Sequence, residues 1–210
     1  MDIEHFNDCA KRPNVPWNKG KLTGEKPPLR PKHVWAIRTR LQIVGRTRDL
    51  ALFNLAIDSK LRGCDLISLK VEDVAPHGYA IDRATIRQKK TGRPVKFEIT
   101  EQTRQAIDDH LAASRSAPGE YLFQGRRHDR QLTTRQYARL LSKWLSLIGL
   151  DPALFGTHSL RRTKPTLIYR KTGNLRAVQL LLGHTKIEST VRYLGIEVDD
   201  ALAIAEQVEV

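Results

Sequence analysis

Residues 180–193 read Leu180-Leu181-Leu182-Gly183-His184-Thr185-Lys186-Ile187-Glu188-Ser189-Thr190-Val191-Arg192-Tyr193, and the fold turns on how they are understood. Three leucines close an apolar helix. Gly183 ends it, because glycine accepts the left-handed conformation of a helix C-terminus, and His184 is presented just past that cap. Tyr193 follows nine residues after His184. Upstream lie Arg62, Lys90, His158 and Arg161. Two guanidiniums, an ammonium and two imidazoles can neutralise a phosphate whose charge grows in a transition state, and a tyrosine hydroxyl can be the nucleophile. Together these groups suit attack on a phosphodiester.

The composition fits such a substrate. Thirty-six Lys and Arg against 23 Asp and Glu leave a formal charge of +13. That excess points to a polyanionic partner, and nucleic acid is favoured over a membrane because there is no long apolar run. A chain of 210 residues suits one sizeable domain, or a domain with a tail, and can bury a core without disulfides or metal. The only cysteines, Cys9 and Cys64, form no C-x-x-C pair, which argues against a structural zinc site. Nothing near the N-terminus resembles a signal peptide, so a reduced, cytoplasmic, nucleoid-associated protein is expected.

Periodicity divides the chain. Residues 1–32 carry five prolines and are strongly basic, which predicts an extended arm, either DNA-tracking or a leader without consequence. From His33 the apolar residues recur at helical spacing: Val34, Ile37, Leu41 and Val44, then Leu52, Leu55, Ala56 and Ser59, giving two amphipathic helices. A short helix is expected near Cys64–Leu69. Tyr79–Arg87 and Pro94–Ile99 flank Lys90-Thr91-Gly92 as an antiparallel hairpin. Another helix opens at Thr100, with Ile107 and Leu111 inward. Thr133–Ile148 carries a core stripe that includes Tyr137 and Trp144. The remainder reads as three helical pieces. After Tyr193, residues 197–210 hold five acids and no basic residue. An acidic helix there, with Val198, Leu202, Ala205 and Val208 along it, could dock on a basic neighbour or fold back on its own domain.

Four boxes carry a resemblance. They are Leu61-Arg62-Gly63-Cys64-Asp65-Leu66, Gln88-Lys89-Lys90-Thr91-Gly92-Arg93, His158-Ser159-Leu160-Arg161-Arg162-Thr163, and Gly183-His184 with Tyr193. Their order and spacing resemble the tyrosine recombinases, or phage-type integrases, over about residues 33–198, with the catalytic domain expected at 33–196. The resemblance implies a mainly α domain with a small antiparallel β element, the tyrosine recombinase catalytic fold. It implies a site-specific recombinase that integrates, excises or inverts duplex DNA through a 3′-phosphotyrosyl intermediate. Tyr193 would be the nucleophile, Arg62 and Arg161 the phosphate clamps, His158 a hydrogen-bonding partner of the same phosphate, and His184 a further catalytic residue. Lys90, with Lys89 its competitor, would protonate the departing 5′ oxygen. Asp65 would hold an arginine through a charge-assisted pair, while Lys89 and Arg93 would face the DNA backbone and Arg162 the DNA backbone or solvent. No metal or ATP is implied, since the protein's own cations do the work of Mg²⁺. A homotetramer on DNA, with accessory DNA-bending or helper proteins, is the implied assembly.

Two departures stand out. Most members carry a separate core-binding domain, so this chain resembles the compact ones. Pro165 stands where a helix-tolerant residue is usual, so the helix either begins near Lys164 or is kinked beside Arg161. The alternatives are a non-catalytic or helper-dependent DNA-binding protein, and a relaxing enzyme of type IB topoisomerase kind.

Overall fold

Helices wrap around one of their own number in the computed structural model, which describes residues 26–125, 130–195 and 206. Helix α1 (Pro31–Ile43) starts on a proline, whose missing N–H costs nothing in a first turn, and buries the anticipated Val34, Ile37 and Leu41. Helix α2 (Thr47–Ser59) differs from its expectation. It is buried from Asp49 to Ser59 on every face, because α1 and the elements that follow surround it. Several of its polar groups are partnered there. Asn54 accepts from Arg38 Nε at 2.8 Å, and Asp49 receives the indole N–H of Trp144 at 3.3 Å.

The chain then runs through α3 (Gly63–Leu66) and α4 (Val71–Val74) to a two-stranded antiparallel sheet, β1 (Arg83–Arg87) and β2 (Pro94–Glu98), in which Thr85 faces Lys96. The first strand is shorter than Tyr79–Arg87. The segment before it is tied elsewhere: Ala80 N–H donates to Asp108 and Ile81 N–H to the Val74 carbonyl, and Tyr79 is exposed. Helix α5 (Glu101–Ser114) packs along α2 and buries Ile107. Helix α6 (Thr134–Ser146) opens with a reciprocal Thr133–Gln136 cap and buries Tyr137, Leu141 and Trp144. The Trp144 ring meets Phe53 edge-on at 5.7 Å, so the tryptophan is a packing residue, as its place in the stripe implies.

Three helices follow a 3₁₀ turn at Pro152–Leu154: α7 (Thr157–Thr172), α8 (Leu175–Leu182) and α9 (Ile187–Leu194). Gly156 caps α7, with its N–H donating to Ser159 Oγ. Two expectations are corrected here. Pro165 lies inside α7, whose first turn begins at Thr157, so the helix does not start near Lys164. The packed body also begins before His33: Leu29 is buried, its N–H donates to Thr163 Oγ1 at 3.1 Å, and Lys26 Nζ donates to the Ala153 carbonyl. Cys9, Trp17 and the acidic segment from Glu197 fall outside the described residues, Glu206 excepted.

Candidate active site

The last residue before the first arginine box sets the geometry. Lys60 closes α2 in the left-handed conformation, φ 56°, which bulky residues rarely adopt. This turns the chain so that Arg62 precedes α3, and it aims the Lys60 carbonyl into the core. Arg161, on the inner face of α7, donates from Nε to that carbonyl at 2.7 Å and from Nη2 to the Leu182 carbonyl at 3.1 Å. Arg161 is thereby fixed from two directions and is only 4% exposed. Burial works to lower its pKa and nearby Tyr193 opposes it; a guanidinium remains charged regardless.

Arg62 donates from Nη1 to Gln88 Oε1 at 2.6 Å, and Thr91 Oγ1 donates to the same oxygen at 2.9 Å. Gln88 is buried at the base of the turn joining β1 to β2, so it ties the first arginine to the lysine-bearing tip. That tip needs glycine: Gly92 has φ +66°, and its N–H donates to the Gln88 carbonyl at 2.8 Å. Asp65 departs from its expected role. It forms no ion pair with an arginine among the described residues; its Oδ1 accepts the Lys89 backbone N–H at 2.9 Å, so the carboxylate anchors the hairpin and acts on Arg161 only through space. Lys89, Lys90 and Arg93 are exposed on the turn.

Gly183 is required twice over. Its φ is +67°, and a Cβ there would lie 2.8 Å from Val95 Cγ2 on β2. This close approach sets His184 against the hairpin side of the site. His184 Nδ1 lies 3.2 Å from Thr190 Oγ1, and its ring meets Tyr193 edge-on at 5.4 Å. Burial first, then the charges of Arg161 and Arg62, lower its pKa to about 4, so the imidazole is neutral near pH 7. Both Arg161 and Arg162 place a guanidinium 5.4 Å from the centre of the Tyr193 ring, and the tyrosine hydroxyl is shielded from solvent. Arg162 corrects its expectation: it turns inward rather than to a DNA backbone, and donates to the Lys26 carbonyl at 3.2 Å. Its place on α7 beside Arg161 leaves it facing α9. His158 sits exposed in the first turn of the same helix.

Arg62, Asp65, Arg161, His184 and Tyr193 thus converge, while Lys90, Arg93 and His158 stand at the exposed margin. Gln88, Thr190 and the Lys60 carbonyl are additions that no motif announces. Gln88 precedes the two lysines directly, which is the one signal the sequence offers for it.

The fold is found elsewhere. A crystal structure of XerA recombinase superposes with a TM-score of 0.70 at 22% identity, over 92% of this chain and 68% of that one. XerH recombinase bound to difH in a pre-cleavage complex gives 0.68 at 18% identity, over 85% and 53%. A lambda integrase dimer bound to a core site gives 0.62 at 19%, over 83% and 61%. The fold is therefore that of a tyrosine recombinase catalytic domain, mainly α with one small antiparallel sheet.

Residues 29–198 match the phage integrase family, and the chain belongs to it. A probable integrase/recombinase, YoeC of Bacillus subtilis, is 31% identical over 74% of this chain and 82% of its own length. Tyrosine recombinase XerC of Neisseria meningitidis is 30% identical over 72% of this chain. The chain spans about half the length of that relative (48%). No described helix is long and apolar enough to cross a membrane.

Proposed function

We propose that this protein cleaves and rejoins duplex DNA at a specific site through a covalent link to Tyr193. The observation that carries the reading is the packing of one tyrosine against two arginines and a neutral histidine, contributed by α7 and by the segment that follows α8. The phenol oxygen forms the bond to phosphorus, the P–O5′ bond breaks, and a 3′-phosphotyrosyl link and a 5′ hydroxyl result. His184, kept neutral and packed on the tyrosine ring, can take the phenol's proton. Arg62 and Arg161 neutralise the non-bridging oxygens, with His158 a further hydrogen-bonding partner at the margin. Lys90, on a turn able to enter a groove, delivers the proton to the leaving oxygen. Lys89 and Arg93 follow the backbone beside it. Attack of a 5′ hydroxyl from a partner strand on the phosphotyrosine reverses the chemistry, so bond energy is conserved and integration, excision or inversion follows from how the sites are paired. Two paired duplexes call for four protomers, with accessory proteins able to bend the DNA between them.

Nicked suicide duplexes carrying the protein's own site test this reading, because loss of a short fragment traps the link. Covalent protein–DNA complexes are expected with the unaltered chain and not with Tyr193→Phe, while DNA binding stays within about twofold, since one buried hydroxyl contributes little to phosphate neutralisation. Tight binding with no adduct from either protein would favour the non-catalytic DNA-binding alternative.

A further inference from the structure

Behind Arg161 lies a set of charges that the reaction itself does not use. Lys60 has its side chain fully buried, and its Nζ lies 2.6 Å from Glu98 Oε2 at the end of β2. The other oxygen of Glu98 is 2.8 Å from Lys164 Nζ, which is also 2.8 Å from Asp58 Oδ1 on α2. Thr100 and Thr103 each donate to Asp58 Oδ2 at 2.6 Å. Burial works to raise Glu98 and Asp58, but Lys164 and their other partners prevail and hold both carboxylates below their usual range. Four charges thus join α2, β2 and α7. They do so at a cost, because an ammonium has been taken wholly out of water and a lysine held at a positive φ. The compensation is local to one atom: the backbone carbonyl of this same Lys60 receives Arg161 Nε.

We propose that Lys60, Glu98 and Lys164 are positioning residues for cleavage. Glu98 fixes the Lys60 side chain, which fixes the left-handed turn, which aims the carbonyl that orients Arg161. Lys164 ties the same carboxylate to α7 three residues beyond that arginine. Because Glu98 ends the strand that leads away from the Lys90 turn, the hairpin and the buried clamp are set in one frame. The inference rests on Arg161 serving as a phosphate clamp.

The test compares Glu98→Gln with the unaltered chain on two suicide duplexes. One has an ordinary scissile phosphodiester. The other has a methylphosphonate there, uncharged because a methyl replaces one non-bridging oxygen, so it gives a guanidinium little to neutralise. Cleavage of the phosphodiester is expected to fall about tenfold or more, since small misplacements of a clamp are costly. Cleavage of the methylphosphonate is expected to match the unaltered chain within about twofold, as the missing charge no longer needs the clamp. Lys60→Gly is the second variant: glycine accepts the positive φ and keeps the carbonyl but removes the ammonium, and it should show the same selectivity with a smaller loss. If Glu98→Gln does not fold, Lys60→Gly decides the matter alone. Equal losses on both substrates, or no loss on either, overturn the positioning role. Absence of adducts from the unaltered chain overturns the recombinase reading, and this inference with it.

Discussion

His184 and Lys90 give the sharpest consequences at the scale of single residues. With its pKa lowered to about 4 by burial and by Arg161 and Arg62, His184 binds a proton more weakly folded than unfolded, where its value is 6.5. Stability from this group is therefore complete above pH 6.5, is lost as pH falls toward about 4, and changes no further below that. His184→Gln should lose less of its melting temperature between about pH 7 and pH 4.5 than the unaltered protein; equal losses would mean the histidine is not held neutral. Lys90 is exposed and makes no hydrogen bond or ion pair with a described residue, so its charge is available to DNA. If it is the acid for the leaving oxygen, cleavage by Lys90→Ala should be restored by a 5′-phosphorothiolate, whose sulfur departs without a proton, and cleavage by Arg161→Ala should not. Rescue of Lys89→Ala instead would exchange the two lysines. Arg62, Arg161, His184 and Tyr193, which the fold brings together, are legible in the sequence because each sits in a short local string. The Lys60 carbonyl and Gln88 are not, since their partners lie 101 and 26 residues away and neither distance leaves a trace in a motif.

Among the elements, α7 carries both Arg161 and an anomaly. Pro165 removes the hydrogen bond that would reach the Arg161 carbonyl, a change worth roughly 3 kcal/mol inside a helix. Arg161 does not depend on that bond, because Lys60 and Leu182 hold its guanidinium from outside the helix. Pro165→Ala is therefore expected to raise the melting temperature clearly while changing cleavage by less than about threefold. A parallel large gain in cleavage would show that the proline misplaces the clamp. Helix stripes such as Val34, Ile37 and Leu41 are legible because one face meets the core and the others meet water. The all-round burial of α2 is not, because it depends on which elements arrive from later in the chain. The four-residue α4 and the 3₁₀ turn are too short to express a period.

On the scale of the whole molecule, a charge of +13 and a family shared with recombinases agree with a site that gathers cations around one tyrosine. The boxes are dispersed along the chain from Arg62 to Tyr193, yet α2, α7 and the sheet bring most of them together, which is why their order and spacing carry information in the sequence itself. The most direct measurement identifies the residue that carries the DNA. Adducts trapped on a suicide duplex with the unaltered protein would be digested with trypsin and nuclease and sequenced by mass spectrometry. Arg192 is the last basic residue, so the expected product is the peptide from Tyr193 onward, carrying nucleotide on Tyr193 through a 3′ phosphate. Nucleotide on another residue, or linkage through a 5′ phosphate, would contradict the account.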